Sequence, residues 1–249
     1  MLVWCVSLVL GVVFGGENWA VLVAGSNGYD NYRHQADVCH AYQVLTRVGG
    51  FPQDRVLTMM YDDVATSEEN PLPGKLFNRP SGPDVYAGVH IDYRGDDVTP
   101  DNFLKVLRGD KQALSGVGSG RVLESGPDDT VFVFFADHGG SGFICFPNGY
   151  LYADQLNETL SGMVQAQKFN KLVFYLEACE SGSMFAGILP HHEGVIAITA
   201  SKSDQSSYAT YYDEHLDTYL GDLFSVSWME DSEVTLLNAS YTLEDQVCR

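Results

Sequence analysis

Five short apolar runs punctuate the chain, at residues 19–25 (WAVLVAG), 55–61 (RVLTMMY), 130–136 (TVFVFFA), 171–178 (KLVFYLEA) and 194–200 (GVIAITA). Each is continuous rather than alternating, the pattern of parallel strands covered on both faces. Helical periodicity fills the spaces between them. Residues 34–50 repeat apolar side chains at Ala36, Cys39, Tyr42, Leu45 and Val48 and stop at Gly49-Gly50. Thr99 and Pro100 open a second helix as N-cap and first helical residue. Residues 153–167 predict a third, capped by Asp154. Strands alternating with helices predict one right-handed, doubly wound α/β sheet. Residues 62–98, rich in Pro, Gly and Asp, read as a long surface loop.

The ends and the charge narrow the setting. Leu2 to Phe14 is almost wholly apolar yet too short to span a bilayer, and Glu17 is the first charge. Residues 1–15 therefore read as a secretory leader and residues 16–249 as one domain. An excess of 33 acidic over 14 basic residues, net −19, repels phosphate backbones and anionic lipid. Nucleic acid and membranes are thus poor partners, whereas an acidic compartment suits the composition. Of five cysteines, Cys5 leaves with the leader. Cys39, Cys145, Cys179 and Cys248 lack zinc-ligand spacing and are too dispersed for a disulfide scaffold, so at most one bridge is expected. Asn157 and Asn238 head glycosylation sequons. Arg108-Gly109-Asp110 reads as a helix end and His191-His192-Glu193 as a solvated loop, so no metal or cofactor is expected.

The chemistry gathers at the strand ends. In open α/β sheets, sites form where strand C-termini meet the following loops. That edge collects Asn31, Arg33, His34, Asp137, His138, Glu177, Cys179 and Glu180. Glu177 and Glu180 flank Cys179, and their carboxylates oppose negative charge on its sulfur. A base must therefore take the thiol proton during attack, and His138, closing a neighbouring strand, fills that role. Gly139 and Gly140 let backbone N–H groups approach a reacting carbonyl; with the N–H of Cys179 they would form an oxyanion hole.

The blocks AGSNGYDNYRHQADVCHAY, MMYDD, NPLPG, DVTPDNFLKVLRGD, DHGGSG, EACESGSMF and YLGDLFSVSWMEDSE resemble the legumain family of asparaginyl endopeptidases, also called vacuolar processing enzymes. The resemblance runs in order from about residue 18 to 240. It implies a caspase-like three-layer sandwich, with a mostly parallel sheet of about six strands covered by helices on both faces. It implies Cys179 as nucleophile, His138 as base, Asn31 orienting the imidazole, Gly139 in the oxyanion hole, and Asp137 as a residue able to form a succinimide. Arg33, His34, Glu177, Ser207 and Asp222 match the pocket for asparagine. There a guanidinium meets the side-chain carbonyl and a carboxylate meets the NH₂. An aspartate would be repelled unless protonated, which confines its cleavage to low pH. The family further implies protein and peptide substrates with exposed Asn, peptide ligation, cystatin-type inhibitors, and a lysosomal, vacuolar or secreted location. Its members are longer zymogens, and the last part of the catalytic domain and the prodomain find no match here. Two other readings share these residues: a transferase like the GPI-anchor transamidase, which suits HGGSGF, and a non-catalytic short form acting by binding.

Overall fold

The computed structural model describes residues 16–189, 193–235 and 245–246. The leader, His191, His192, Asn238 and Cys248 lie outside the described residues. In chain order the elements are β1 (Asn18–Ala24), α1 (Tyr32–Gln43), β2 (Val56–Met59), α2 (Pro100–Arg108), β3 (Thr130–Ala136), β4 (Gly139–Gly140), β5 (Phe143–Phe146) and β6 (Gly149–Tyr152). After them come α3 (Ala153–Gln165), β7 (Lys171–Glu177), β8 (Val195–Thr199), β9 (Ala209–Asp213), β10 (Thr218–Asp222) and α4 (Leu223–Thr235). The five predicted runs supply one all-parallel sheet, in the order β2-β1-β3-β7-β8. Among the described residues it has five strands where about six were expected. Two antiparallel additions, β4-β5-β6 and the β9–β10 hairpin, were not predicted. Their strands are two to five residues long and carry half-exposed tyrosines, too short to register as a periodic signal.

Parity explains why the strand sequences are continuously apolar. Val21, Val23, Val131, Val133 and Phe135 face α2 and α3, where Phe103, Leu107, Leu156 and Leu160 pack. Ala20, Leu22, Phe132, Phe134 and Tyr175 face the other way, against Ala36 and Cys39 of α1 and Trp228 and Met229 of α4. Each fully buried Leu or Phe contributes about 1.5–3 kcal/mol of transfer free energy. Only β8, at the sheet edge, keeps half-exposed side chains along most of its length.

Local signals shape the helices. Thr99 Oγ1 accepts the Asn102 N–H at 3.2 Å and caps α2, which ends on Gly109 in the left-handed region at φ 75°. In α3 the cap differs from expectation. The side chain of Gln155 accepts the Tyr152 N–H at 3.2 Å, and Asp154 sits inside the first turn. Helix α1 was expected to be amphipathic but is buried from His34 through Gln43, because β10 and α4 close over its outer side. Its polar residues must therefore find partners inside the protein.

Residues 62–98 are more than a surface loop. Val64, Leu76, Val85 and Ile91 are buried in the α1 core, and Tyr93 bridges to Met59. Asn157 is also buried, its Nδ2 donating to the carbonyls of Ala153 and Met184, both at 2.7 Å. In this conformation the amide of the Asn157 sequon is turned inward. Cys39, Cys145 and Cys179 are free thiols. No helix of the described residues is long and apolar enough to cross a membrane.

Helix α4 is fixed by one aromatic cluster. Trp228 meets Phe132, Phe134 and Tyr175 edge-on, with ring centroids 5.6, 5.3 and 5.5 Å apart. Replacement Trp228→Ala is expected to cost about 3–5 kcal/mol in guanidinium unfolding. Trp228→Phe, which keeps an aromatic ring there, should lose less than half as much.

Candidate active site

Ala136 pairs with Glu177 across β3 and β7, so whatever follows these strands emerges side by side. Asp137 and His138 thus lie next to Ala178 and Cys179, and the Asp137 N–H donates to the Glu177 carbonyl at 3.1 Å. Gly139 makes the approach possible. A Cβ there would stand 2.8 Å from the Cys179 carbonyl oxygen and 3.0 Å from Ala178 Cβ. Beyond the cysteine, Glu180 turns the chain through the left-handed region at φ 52° and donates its N–H to the Gln205 carbonyl at 2.7 Å. That bond brings Ser207 to the thiol, whose sulfur lies 3.8 Å from Ser207 Oγ and 3.9 Å from its carbonyl oxygen.

The imidazole is oriented from the opposite side. Asn31 donates from Nδ2 to the Asn27 carbonyl at 2.9 Å, which fixes which way its amide points. Its Oδ1 therefore faces His138 Nε2, 2.8 Å away, and accepts a hydrogen bond from its N–H. With the proton on Nε2, the free lone pair sits on Nδ1, where a base needs it. The loop bearing Asn31 is anchored by Asp63, which accepts the Gly28 N–H at 2.8 Å and Gln35 Nε2 at 2.7 Å. In this state the imidazole is bonded to Asn31 and the thiol contacts Ser207.

Behind the thiol lies a buried charged pocket. Arg33 Nε donates to Asp222 Oδ1 at 3.0 Å. His34 Nε2 is 3.4 Å from Asp222 Oδ2, and its Nδ1 is 2.6 Å from Ser26 Oγ and 3.2 Å from Asp137 Oδ1. Glu177 Oε2 accepts both the N–H and the Oγ–H of Ser225 at 3.0 Å. Among the described residues, Glu177 Oε1 and Asp222 Oδ2 have no hydrogen bond. Burial, then the charge of Asp222, raises the Glu177 carboxyl well above the usual range. Burial pushes Asp137 up to about 7 and His34 down to about 3. His34 is therefore neutral at ordinary pH. Ligand atoms of His34, Asp137 and His138 lie within 4.8 Å of one another, a set able to hold a divalent metal; their bonds here run to Ser26 and Asn31.

The expected residues thus come together at one sheet edge, with Glu180 contributing its backbone turn. Sequence reading missed Ser26, Asp37, Asp63, Asn78 and Ser225, which hold the site's groups in place. None of the five carried a usable signal, because the burial of α1 that gives Asp37 its role comes from elements far along the chain.

Residues 18–248 match the Peptidase C13 family, and the chain belongs to it. It is 54% identical over 245 residues to legumain of Homo sapiens, covering 94% of this chain and 56% of that protein. Legumain of Rattus norvegicus is 58% identical over 220 residues, 88% of this chain and 50% of its own length. A vacuolar-processing enzyme of Vicia sativa is 53% identical over 229 residues, 89% of this chain and 46% of its own. The chain spans about half the length of the curated relatives it matches. The crystal structure of caspase-1 from Spodoptera frugiperda superposes with a TM-score of 0.49 at 13% identity, over 90% of this chain and 75% of that one. The fold assignment rests on the sheet topology, not on that likeness.

The buried acids set a pH dependence. Folded Asp137 keeps its proton up to about pH 7, whereas an unfolded Asp releases it near ~4. The folded state thus holds the extra proton between those values, and stability falls as pH rises through them. Glu177 and Asp37, also raised by burial, act in the same direction. His34 opposes them from about pH 3 to the unfolded value of about 6.5, where the unfolded chain holds the extra proton. Three acids outweigh one histidine, and above about 6.5 nothing in this group opposes them. The Cys179→Ala protein is expected to melt at a higher temperature at pH 5 than at pH 7.5. The reverse order would mean that the buried acids are ionised in the fold.

Proposed function

We propose that the chain is a cysteine endopeptidase cutting peptide bonds after asparagine. The observation that supports the chemistry best is the Asn27–Asn31–His138 chain, which leaves the basic lone pair on Nδ1. In the reaction Cys179 Sγ attacks the scissile carbonyl carbon while its proton passes to His138 Nδ1. The oxyanion forms against the N–H groups of Gly139 and Cys179. Collapse expels the amine, which takes the proton from His138, and leaves a thioester. Water, or another amine, then releases the acyl group, giving hydrolysis or ligation.

Specificity follows from the unmet acceptors. Glu177 Oε1 and Asp222 Oδ2 are buried without hydrogen bonds, and a buried acceptor left so costs about 1–3 kcal/mol. The NH₂ of an asparagine supplies the missing donor, while Arg33 meets its carbonyl. Ionised aspartate brings a second negative charge beside Asp222 in a buried pocket, so its cleavage belongs to low pH. A neutral Asp137 carboxyl is also the state in which cyclisation onto the next backbone nitrogen, giving a succinimide, is easiest. The working site is an acidic compartment of the secretory pathway, the lysosome or vacuole, with protein substrates exposing Asn and cystatin-type inhibitors as partners.

The direct test is an Ala-Ala-Asn fluorogenic peptide at pH 5.5. Cys179→Ser and His138→Ala should each abolish turnover while far-UV circular dichroism stays native, since both lie beyond strand ends. Near-normal cleavage by Cys179→Ser would remove the thiol from the mechanism. Arg33→Lys keeps the charge but loses the planar fork, and cleavage after Asn should fall at least about tenfold. An unchanged preference for Asn over Ala would take Arg33 out of the pocket.

A further inference from the structure

Asp222 is the last residue of β10, and its main chain is held from behind by α1. Asp37 lies one helical turn beyond Arg33 on that helix, so the two project from the same side. It is fully buried, with Oδ2 and Oδ1 at 3.2 and 3.4 Å from the Asp222 backbone nitrogen. Asn78 braces the contact, its Nδ2 donating to Asp37 Oδ1 at 2.7 Å and to the Leu220 carbonyl at 2.9 Å. Asn78 Oδ1 is in turn 2.7 Å from His40 Nδ1, and His40 Nε2 reaches Glu233 Oε1 of α4 at 3.1 Å. The chain ends at the surface, where Arg79 donates to Glu233 Oε2 at 2.7 Å.

The intervening Gly221 is shaped to this contact. A Cβ there would stand 2.9 Å from Asn78 Nδ2, 3.1 Å from Asp37 Oδ1 and 2.5 Å from Val226 Cγ1. Burying one acid beside another is costly, and the carboxyl of Asp37 is pushed well above its ordinary range by burial and then by Asp222. An apolar residue would pack at Asp37's place without that cost. What it would lose is the grip on the Asp222 N–H.

We propose that Asp37 is a positioning residue of the specificity pocket, fixing the main chain of Asp222 so that its carboxylate gives Oδ1 to Arg33 Nε and keeps Oδ2 turned toward the pocket. The inference rests on the reading of this pocket as the asparagine site. Asp37 has no bond to Cys179 or His138, so its loss weakens substrate binding and spares the chemical step. An aspartate here accepts from two donors, Asn78 Nδ2 and the Asp222 N–H. An asparagine at the same place turns its own NH₂ against one of them.

The experiment measures kcat and KM for the Ala-Ala-Asn peptide, and the Kd of the uncleaved Ala-Ala-Asn amide on the Cys179→Ala protein by calorimetry. Asp37→Asn should raise KM and Kd at least about tenfold and leave kcat within about threefold. Gly221→Ala, which presses on Asp37 and Asn78 from β10, and Asn78→Ser, which removes the brace, should give the same split. They serve as the test should Asp37→Asn fail to fold. A fall in kcat at constant KM, or a lower melting temperature with KM and Kd unchanged, would overturn the proposal. Wild-type protein that binds the amide without cleaving it would sink the peptidase reading, while the Kd comparison still decides the role of Asp37. Absence of binding to the Cys179→Ala protein would remove both the pocket and this inference.

Discussion

The register between β3 and β7 is the constraint on which the site depends. Ala136 faces Glu177, so the two strands end together and deliver His138 and Cys179 to neighbouring places. A slip of one residue would shift one strand by about 3.3 Å and turn every side chain to the opposite face. Because both faces are buried, exposure to water cannot be what forbids the slip. Shape forbids it. Val131 and Val133 pack toward α2 and α3, while Phe132 and Phe134 meet the Trp228 indole on the other side. Exchanging the faces would drive phenyl rings into valine-sized spaces and leave Trp228 without partners, each a cost of one to several kcal/mol. The apolar cores therefore set the relative placement of His138 and Cys179.

Helix α1 then gathers much of the chemistry onto one short stretch. Asn31 at its N-cap orients the imidazole, Arg33 and His34 face the pocket acids, and Asp37 holds β10 one turn later. Such density of function demands that the helix be enclosed, and the β9–β10 hairpin and α4 do the enclosing. Enclosure brings Asp37, Asp137, Glu177 and Asp222 into low dielectric, where among the described residues Arg33 is the permanent cation paired with Asp222. The fold answers with protons and backbone donors. Glu177 sits at the first turn of α4, where Ser225 offers both N–H and hydroxyl and the helix dipole favours negative charge.

Much of this was legible in the sequence, for reasons that differ by element. All five sheet strands showed as continuous apolar runs, since burial on both faces leaves no polar positions to blur them. His138 and Cys179 were readable because a polar residue directly after such a run marks the sheet edge. The short hairpins were not, and neither was the enclosure of α1, because its outer cover comes from residues about 180 positions later. Ser225 and Asn78 act through backbone and amide contacts that no periodicity announces. The inward turn of the Asn157 amide toward Met184 was equally invisible, because a sequon is a three-residue pattern that carries no packing information.

The pocket acids show what their arrangement requires of its surroundings. Glu177 Oε1 and Asp222 Oδ2 are held out of water without a donor, a state the folded chain would relieve by any available rotation. Each is prevented from relaxing by bonds to its other atoms. Ser225 grips Glu177 through Oε2, Arg33 grips Asp222 through Oδ1, and Asp37 grips the Asp222 backbone. The clamps leave one oxygen of each acid unspent and fix its direction. Relaxation would satisfy these acids individually and lose the paired direction of their two oxygens. The unfavourable local free energy is thus confined to a few atoms, and the two apolar cores on either side of the sheet are what hold it in place.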